Sequence, residues 1–253
     1  MLRKPVRSKQ TGFTLIEIAI VVVIIGLLLG GVLKGQEMIR NARAHNVADQ
    51  GNAVKAAILG FQDRYRAVPG DYAKADANIP GVTTDHNGNG DSRVGNDPED
   101  GNNTTRENEI AYVWEHLSKS GFISGDFSGD ETNLNDTDWT CGSGACLTNA
   151  YNGHLMFLYD NEQFNPVGTY TTGPKNNQIT TGALIPVEII AEIDRKVDDG
   201  DPATGSFRIG HRFLTTAAGN STECALSSET NGTAVDTWNI AGQQTDCGGV
   251  YMF

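Results

Sequence analysis

The chain has 253 residues, 38% of them hydrophobic, enough for a core in one large domain or two small ones, which argues against a fully disordered chain. Its 19 Lys+Arg against 31 Asp+Glu give a net charge of -12, and four of the basic residues, Arg3, Lys4, Arg7 and Lys9, lie in the first twelve positions. Residues 13–253 therefore carry 15 basic against 31 acidic side chains, a net -16 that repels phosphate backbones, so no nucleic-acid binding is expected of the body of the protein.

Residues 7–36 read RSKQTGFTLIEIAIVVVIIGLLLGGVLKGQ, and from Phe13 to Val32 every residue is apolar or small except Thr14 and Glu17. A helix of about 20 such residues crosses a hydrocarbon layer of about 30 Å. An ordinary secretory signal would place a small-x-small cleavage site after the run, whereas this run ends in LLLGGVLKG with Leu at the outer positions. The basic segment followed by Gly12, Phe13, Thr14, Leu15, Ile16 and Glu17 resembles the type IV prepilins of Gram-negative bacteria, in which a short class III leader ends in Gly before Phe-Thr-Leu-Ile-Glu. The resemblance is strong from residue 7 to about 70 and general in layout beyond.

It implies cleavage between Gly12 and Phe13 by a membrane prepilin peptidase and N-methylation of the new Phe13 amine. It also implies that Glu17 of one subunit neutralises that amine on a neighbour. The physical cost points the same way, because a carboxylate near the start of a membrane helix costs about 2.5–3.5 kcal/mol and needs a partner. In a filament core such a pair sets axial register, since a slipped register leaves both charges alone.

Apolar residues at Ile39, Val47, Val54, Ile58, Phe61 and Tyr65 follow helical steps, so the helix is expected to continue to Pro69-Gly70 with one face built to pack. Gly26, Gly30, Gly31 and Gly35 interrupt its apolar part, consistent with local melting or close helix packing. Many prepilins carry Pro near the position of Lys34, and this chain does not. The expected organisation is a leader over 1–12, a membrane and filament-core helix over 13–35, its amphipathic continuation over 36–68, and an extracellular globular domain over 69–253.

Residues 75–108 are rich in Asp, Asn, Gly and Thr without apolar period and read as a long loop. Within it Asp85, Asn87 and Asn89 alternate, with Gly90 sixth and Asp91 seventh, which is the oxygen-ligand spacing and turn glycine of a calcium loop. The twelfth position is Asn96 rather than Glu, leaving Asp97, Glu99, Asp100 or Glu107 as substitutes and a solvated turn without an ion as the alternative. Calcium is the one cofactor the sequence raises, and none is required by it.

Residues 109–120 (EIAYVWEHLSKS) read as a short helix, with His116 packed rather than ligating a metal. Residues 154–159, 206–209 and 249–253 read as strands, and Pro186 to Val197 as a second short helix ended before Gly200. Past it, Asp198, Asp199 and Asp201 crowd a helix C-terminus. A turn that tolerates its charge through Lys196 is the expected reading, and a second cation the alternative.

Cys141, Cys146, Cys224 and Cys247 lie beyond the membrane segment in an oxidising setting, where disulfides are expected. Three connectivities are possible, and Cys141–Cys146 with Cys224–Cys247 is favoured; the second resembles the disulfide-bounded C-terminal loop of many pilins. No G-x-S-x-G, P-loop, H-E-x-x-H or interpretable pair of catalytic carboxylates occurs, so no enzyme is expected.

The expected fold is α+β, a long N-terminal helix packed on an antiparallel sheet with a loop-rich distal part. The expected function is a subunit that polymerises into a type IV pilus for adhesion, motility or surface attachment, reaching the cell surface from the inner membrane with the pilus assembly machinery. A minor pilin or type II secretion pseudopilin, acting as initiator or tip-binding module, is the alternative.

Overall fold

Helix α1, Leu15–Tyr65, is a continuous 51-residue element. It belongs to a computed structural model that describes residues 14–95, 106–129, 145–160, 175–210, 224–230 and 233–253. The chain divides into two compact units, Met1–Ala42 and Arg43–Phe253, each considered by itself below.

In the first unit the described part is helix alone. Leu15, Ile16, Val22, Leu27, Leu28 and Leu33 are exposed, as is Ile39, which had been expected on the packing face. The packing face begins further on. Ala44, Val47, Ala48, Gly51, Val54, Ala57, Ile58 and Phe61 are buried in the second unit, recurring at the three- and four-residue steps that bring side chains to one side of a helix. The helix ends before Pro69-Gly70, because Arg66 takes a left-handed conformation (φ 55°) that breaks the ladder one residue past Tyr65.

The face packs on a four-stranded antiparallel sheet. Strands β1 (Met156–Asp160), β2 (Asn176–Thr180), β3 (Phe207–Ile209) and β6 (Gly249–Met252) lie in the order β1-β2-β6-β3. Tyr251 pairs with Ile179 on one side and Phe207 on the other, and its ring lies so close to Gly51 that a Cβ there would overlap it. The helix-on-sheet architecture is thus α+β, with Phe61, Phe157, Ile179, Phe207 and Tyr251 in one core.

Two elements of the sequence reading change. The expected loop over 75–108 contains a four-residue helix α2 (Ala75–Asn78) and a 3-10 turn (Thr84–His86), and helix α3 (Arg106–Lys119) begins inside its last residues. β2 and a hairpin, β4 (Ala225–Thr230) with β5 (Thr233–Trp238), were not expected as strands. Helix α4, Val187–Val197, lies where expected with Pro186 as its N-cap, and buries Val187, Ile189, Ile190, Ala191 and Ile193.

Candidate functional site

Gly12 and Phe13 lie outside the described residues. Thr14 and Glu17 form a reciprocal cap at the start of α1: Glu17 Oε2 accepts the Thr14 amide and hydroxyl, both at 2.8 Å, and the Glu17 amide donates to Thr14 Oγ1 at 3.4 Å. Thr-x-x-Glu before an apolar run is the sequence sign of this cap, so the residues that suggest processing also start the helix. From Ile18 to Leu33 the helix is apolar on every side, and it is the one helix among the described residues long and apolar enough to cross a membrane. A helix without a polar face has to be covered by lipid or protein. At Gly26, Gly30, Gly31 and Gly35 a Cβ would meet nothing within 4 Å, so within the subunit these glycines leave clear backbone surface.

The segment from Asn87 to Gly95 wraps two buried carboxylates that sequence reading did not single out. Asp71 Oδ1 accepts the amides of Gly90 (2.6 Å) and Asp91 (3.1 Å), and its Oδ2 accepts that of Ser92 (2.7 Å). Glu109, on α3, accepts the amides of Asn89 (3.0 Å) and Gly95 (3.4 Å). Burial, assisted by the Asp71 charge, pushes the Glu109 carboxyl up to about 8, while burial raises that of Asp71 despite its amide donors. Gly90 is left-handed (φ 80°), and a Cβ at Gly88 would overlap the Asp71 backbone, which is why this wrap uses glycine twice.

Of the four residues with calcium-loop spacing, Asn87, Asn89 and Asp91 lie in this wrap and Asp85 precedes it. Asp85 sits in the 3-10 turn, where its backbone carbonyl accepts the Tyr112 hydroxyl at 3.0 Å. Asn87 Oδ1 accepts the Asp76 amide, Asn89 Oδ1 the Asp91 amide, and Asp91 Oδ1 the Arg93 amide. Asn96, Asp97, Glu99 and Asp100 lie outside the described residues, as does the side chain of Glu107. Beside the wrap, His116 is packed as expected: its Nδ1 accepts the Gly70 amide at 3.0 Å and its Nε2 donates to the His86 carbonyl at 2.9 Å.

Cys224 and Cys247 are joined, with a Cα separation of 6.0 Å, as expected. The bond brackets the β4–β5 hairpin and anchors it beside the bridge between Ile185 and Cys247. Cys146 is disulfide-bonded; Cys141 lies outside the described residues.

At the end of α4, Asp198 Oδ2 accepts the amides of Ser206 and Phe207, Asp199 accepts the Asp201 amide and the Thr204 hydroxyl, and Asp201 accepts the Ala203 amide. Lys196, expected to temper this charge, instead pairs with Glu192 (2.6 Å) and meets His45 Nε2 at 3.2 Å. Asp194, one turn back, was not singled out in the sequence, yet it is fully buried and accepts the Trp238 indole N–H at 2.7 Å. Burial pushes its carboxyl up to about 6, with Asp199 and Asp198 adding to the rise against the Trp238 and Gly200 donors.

A family model of the prokaryotic N-terminal methylation motif matches residues 7–33, the type IV prepilin signature. No curated protein and no solved structure matches the chain. The motif supports a type IV pilin-like or pseudopilin-type protein, structural in kind, and its class III leader implies processing by prepilin peptidase. With the apolar helix that follows, it fits anchoring in a membrane before assembly.

Proposed function

From that signature we propose that the chain is the structural subunit of a type IV pilus filament. The observation that carries the reading is that the helix from Ile18 to Leu33, within the matched motif, is apolar and exposed on all sides. Prepilin peptidase cuts between Gly12 and Phe13, the Phe13 amine is methylated, and many copies leave the inner membrane to bury residues 13–35 in a helical filament. Lipid is itself apolar, so burial alone adds little drive; packing at Gly26, Gly30, Gly31 and Gly35, pairing of Glu17 with a neighbour's amine, and work by the assembly machinery supply the rest. The acidic distal part is displayed outside the cell for adhesion or surface attachment. There calcium at Asp85, Asn87, Asn89 and Asp91 would suit weak extracellular sites.

A minor pilin or secretion pseudopilin is the second reading, favoured by the length left after removal of residues 1–12 from a chain of 253. Electron microscopy of sheared surface filaments with intact-mass measurement of their subunit tests both. The expected result is filaments made mainly of this chain, lacking residues 1–12 and carrying one methyl group. Filaments in which the chain is a trace component support the second reading, and a surface form that retains Met1 or is cut near Gly31 refutes both.

A further inference from the structure

One carboxylate oxygen from each of Asp194, Asp198 and Asp199 lies within 4.8 Å of the other two. Surface aspartates gather in this way without consequence, but Asp194 is not at the surface. It is fully buried; its Oδ2 takes the Trp238 indole N–H, the Gly200 amide also acts on the carboxylate, and its Oδ1 is shut off from solvent and completes no hydrogen bond of its own. A buried carboxylate oxygen without a donor is costly, and native cores rarely leave one. What the structure sets beside this carboxylate is two more, at the C-terminal end of α4 where the helix carbonyls add further negative potential.

The nearby cations do not balance this charge. Lys196 is held by Glu192 and His45, and the Arg195 stem packs against Gly200. Arg208 acts on Asp199 and donates its Nε–H to the Gly205 carbonyl, which offsets one charge of three and leaves the equivalent of a divalent cation. The oxygens are also held in place, Asp198 by the amides of Ser206 and Phe207 and Asp199 by Thr204 and the Asp201 amide. Gly205 is needed for this arrangement, because a Cβ there would overlap the Asp198 carboxylate.

We infer that Asp194, Asp198 and Asp199 hold one Ca²⁺, which supplies the partner that Asp194 Oδ1 lacks. An all-oxygen donor set selects a hard cation, and Ca²⁺ accepts the irregular geometry of oxygens fixed by the fold, whereas Mg²⁺ demands a near-ideal octahedron and keeps most of its water. Three oxygens that lie within 4.8 Å of one another can share one Ca²⁺, with water completing its shell on the side of the more exposed Asp199. Through Asp194 and Trp238 the ion ties the end of α4 to β5 and so to the loop closed by Cys224–Cys247. This site is independent of the Asp85–Asp91 loop and of filament assembly.

The test uses the full chain in detergent micelles, stripped of metal and titrated with Tb³⁺ and then Ca²⁺. Trp238 adjoins the site, so excitation of tryptophan should give sensitised Tb³⁺ emission that Ca²⁺ displaces, and Ca²⁺ should raise the melting midpoint. Asp199→Asn keeps an oxygen for the Asp201 amide and Thr204 but removes a charge, and should weaken Ca²⁺ at least tenfold; Asp198→Asn should do the same if the first variant folds poorly. Asp85→Ala should leave the emission and its displacement in place. The inference is overturned if the aspartate variants at 198 and 199 bind as wild type does, or if Asp85→Ala alone abolishes the response.

Discussion

His116 shows how one buried side chain makes stability depend on pH. Its Nδ1 already accepts the Gly70 amide, so the ring is held neutral with the proton on Nε2, and burial pushes its pKa down to about 4 from an ordinary 6.5. The unfolded chain takes up this proton between those values and the folded chain does not. Its contribution is therefore complete above about pH 6.5, is lost as pH falls toward about 4, and amounts to about 3 kcal/mol at most. His116→Gln can accept from Gly70 and donate to His86 without titrating. Denaturant melts of the two proteins from pH 7.5 to 4 should show the wild-type advantage shrinking with acid; a constant difference would mean the ring is not held neutral. At the other end of the chain, Glu17 is satisfied within its own subunit by Thr14, so the cost of an idle carboxylate is smaller than the sequence alone suggests. The pairing role proposed for it predicts that Glu17→Val still enters the membrane but leaves a neighbour's buried amine without a counter-charge. At about 3–5 kcal/mol for a broken buried pair, filament yield should fall at least about a hundredfold at equal subunit level. Normal piliation by that variant would refute the role.

Among the elements, α1 changes character along its length without a break. Up to Ile39 it presents apolar side chains outward, and from Ala44 it buries one face against the sheet. Gly51 lies under the ring of Tyr251, which is itself packed edge-on against Phe207 at 4.8 Å. Gly51→Ala gains up to about 1 kcal/mol of helix propensity, yet must displace a buried ring at a cost of about 1–3 kcal/mol for overpacking. The net expectation is a melting midpoint lower by about 2–4 °C per kcal/mol lost. Gly26→Ala, with nothing within 4 Å of the new methyl, serves as the comparison and should not lower the midpoint of the unassembled chain. A rise with Gly51→Ala would show that Tyr251 can move aside and that the glycine is not required by packing.

At the scale of the whole molecule, sequence alone determined the features that rest on local pattern. The leader motif, the apolar helix, α3 and α4 were legible because cleavage signals, hydrophobic period and helix ends are set within a few residues of one another. The Cys224–Cys247 pairing was favoured among three, and its spacing suits a short closed loop. The β4–β5 hairpin carries a sign in the sequence, Asn231-Gly232 between the paired Thr230 and Thr233. β2 carried almost none: Asn176, Asn177 and Gln178 have neither alternation nor apolar bulk, and the segment is a strand because β1 and β6 flank it and satisfy its backbone. The buried acids were decided in the same way. Asp71, Glu109 and Asp194 look in the sequence like any other acidic residues of an acidic protein. Only folding brings amides to the first two and the Trp238 indole to the third, because much of the electrostatic setting of a buried side chain is made by residues far away in the chain.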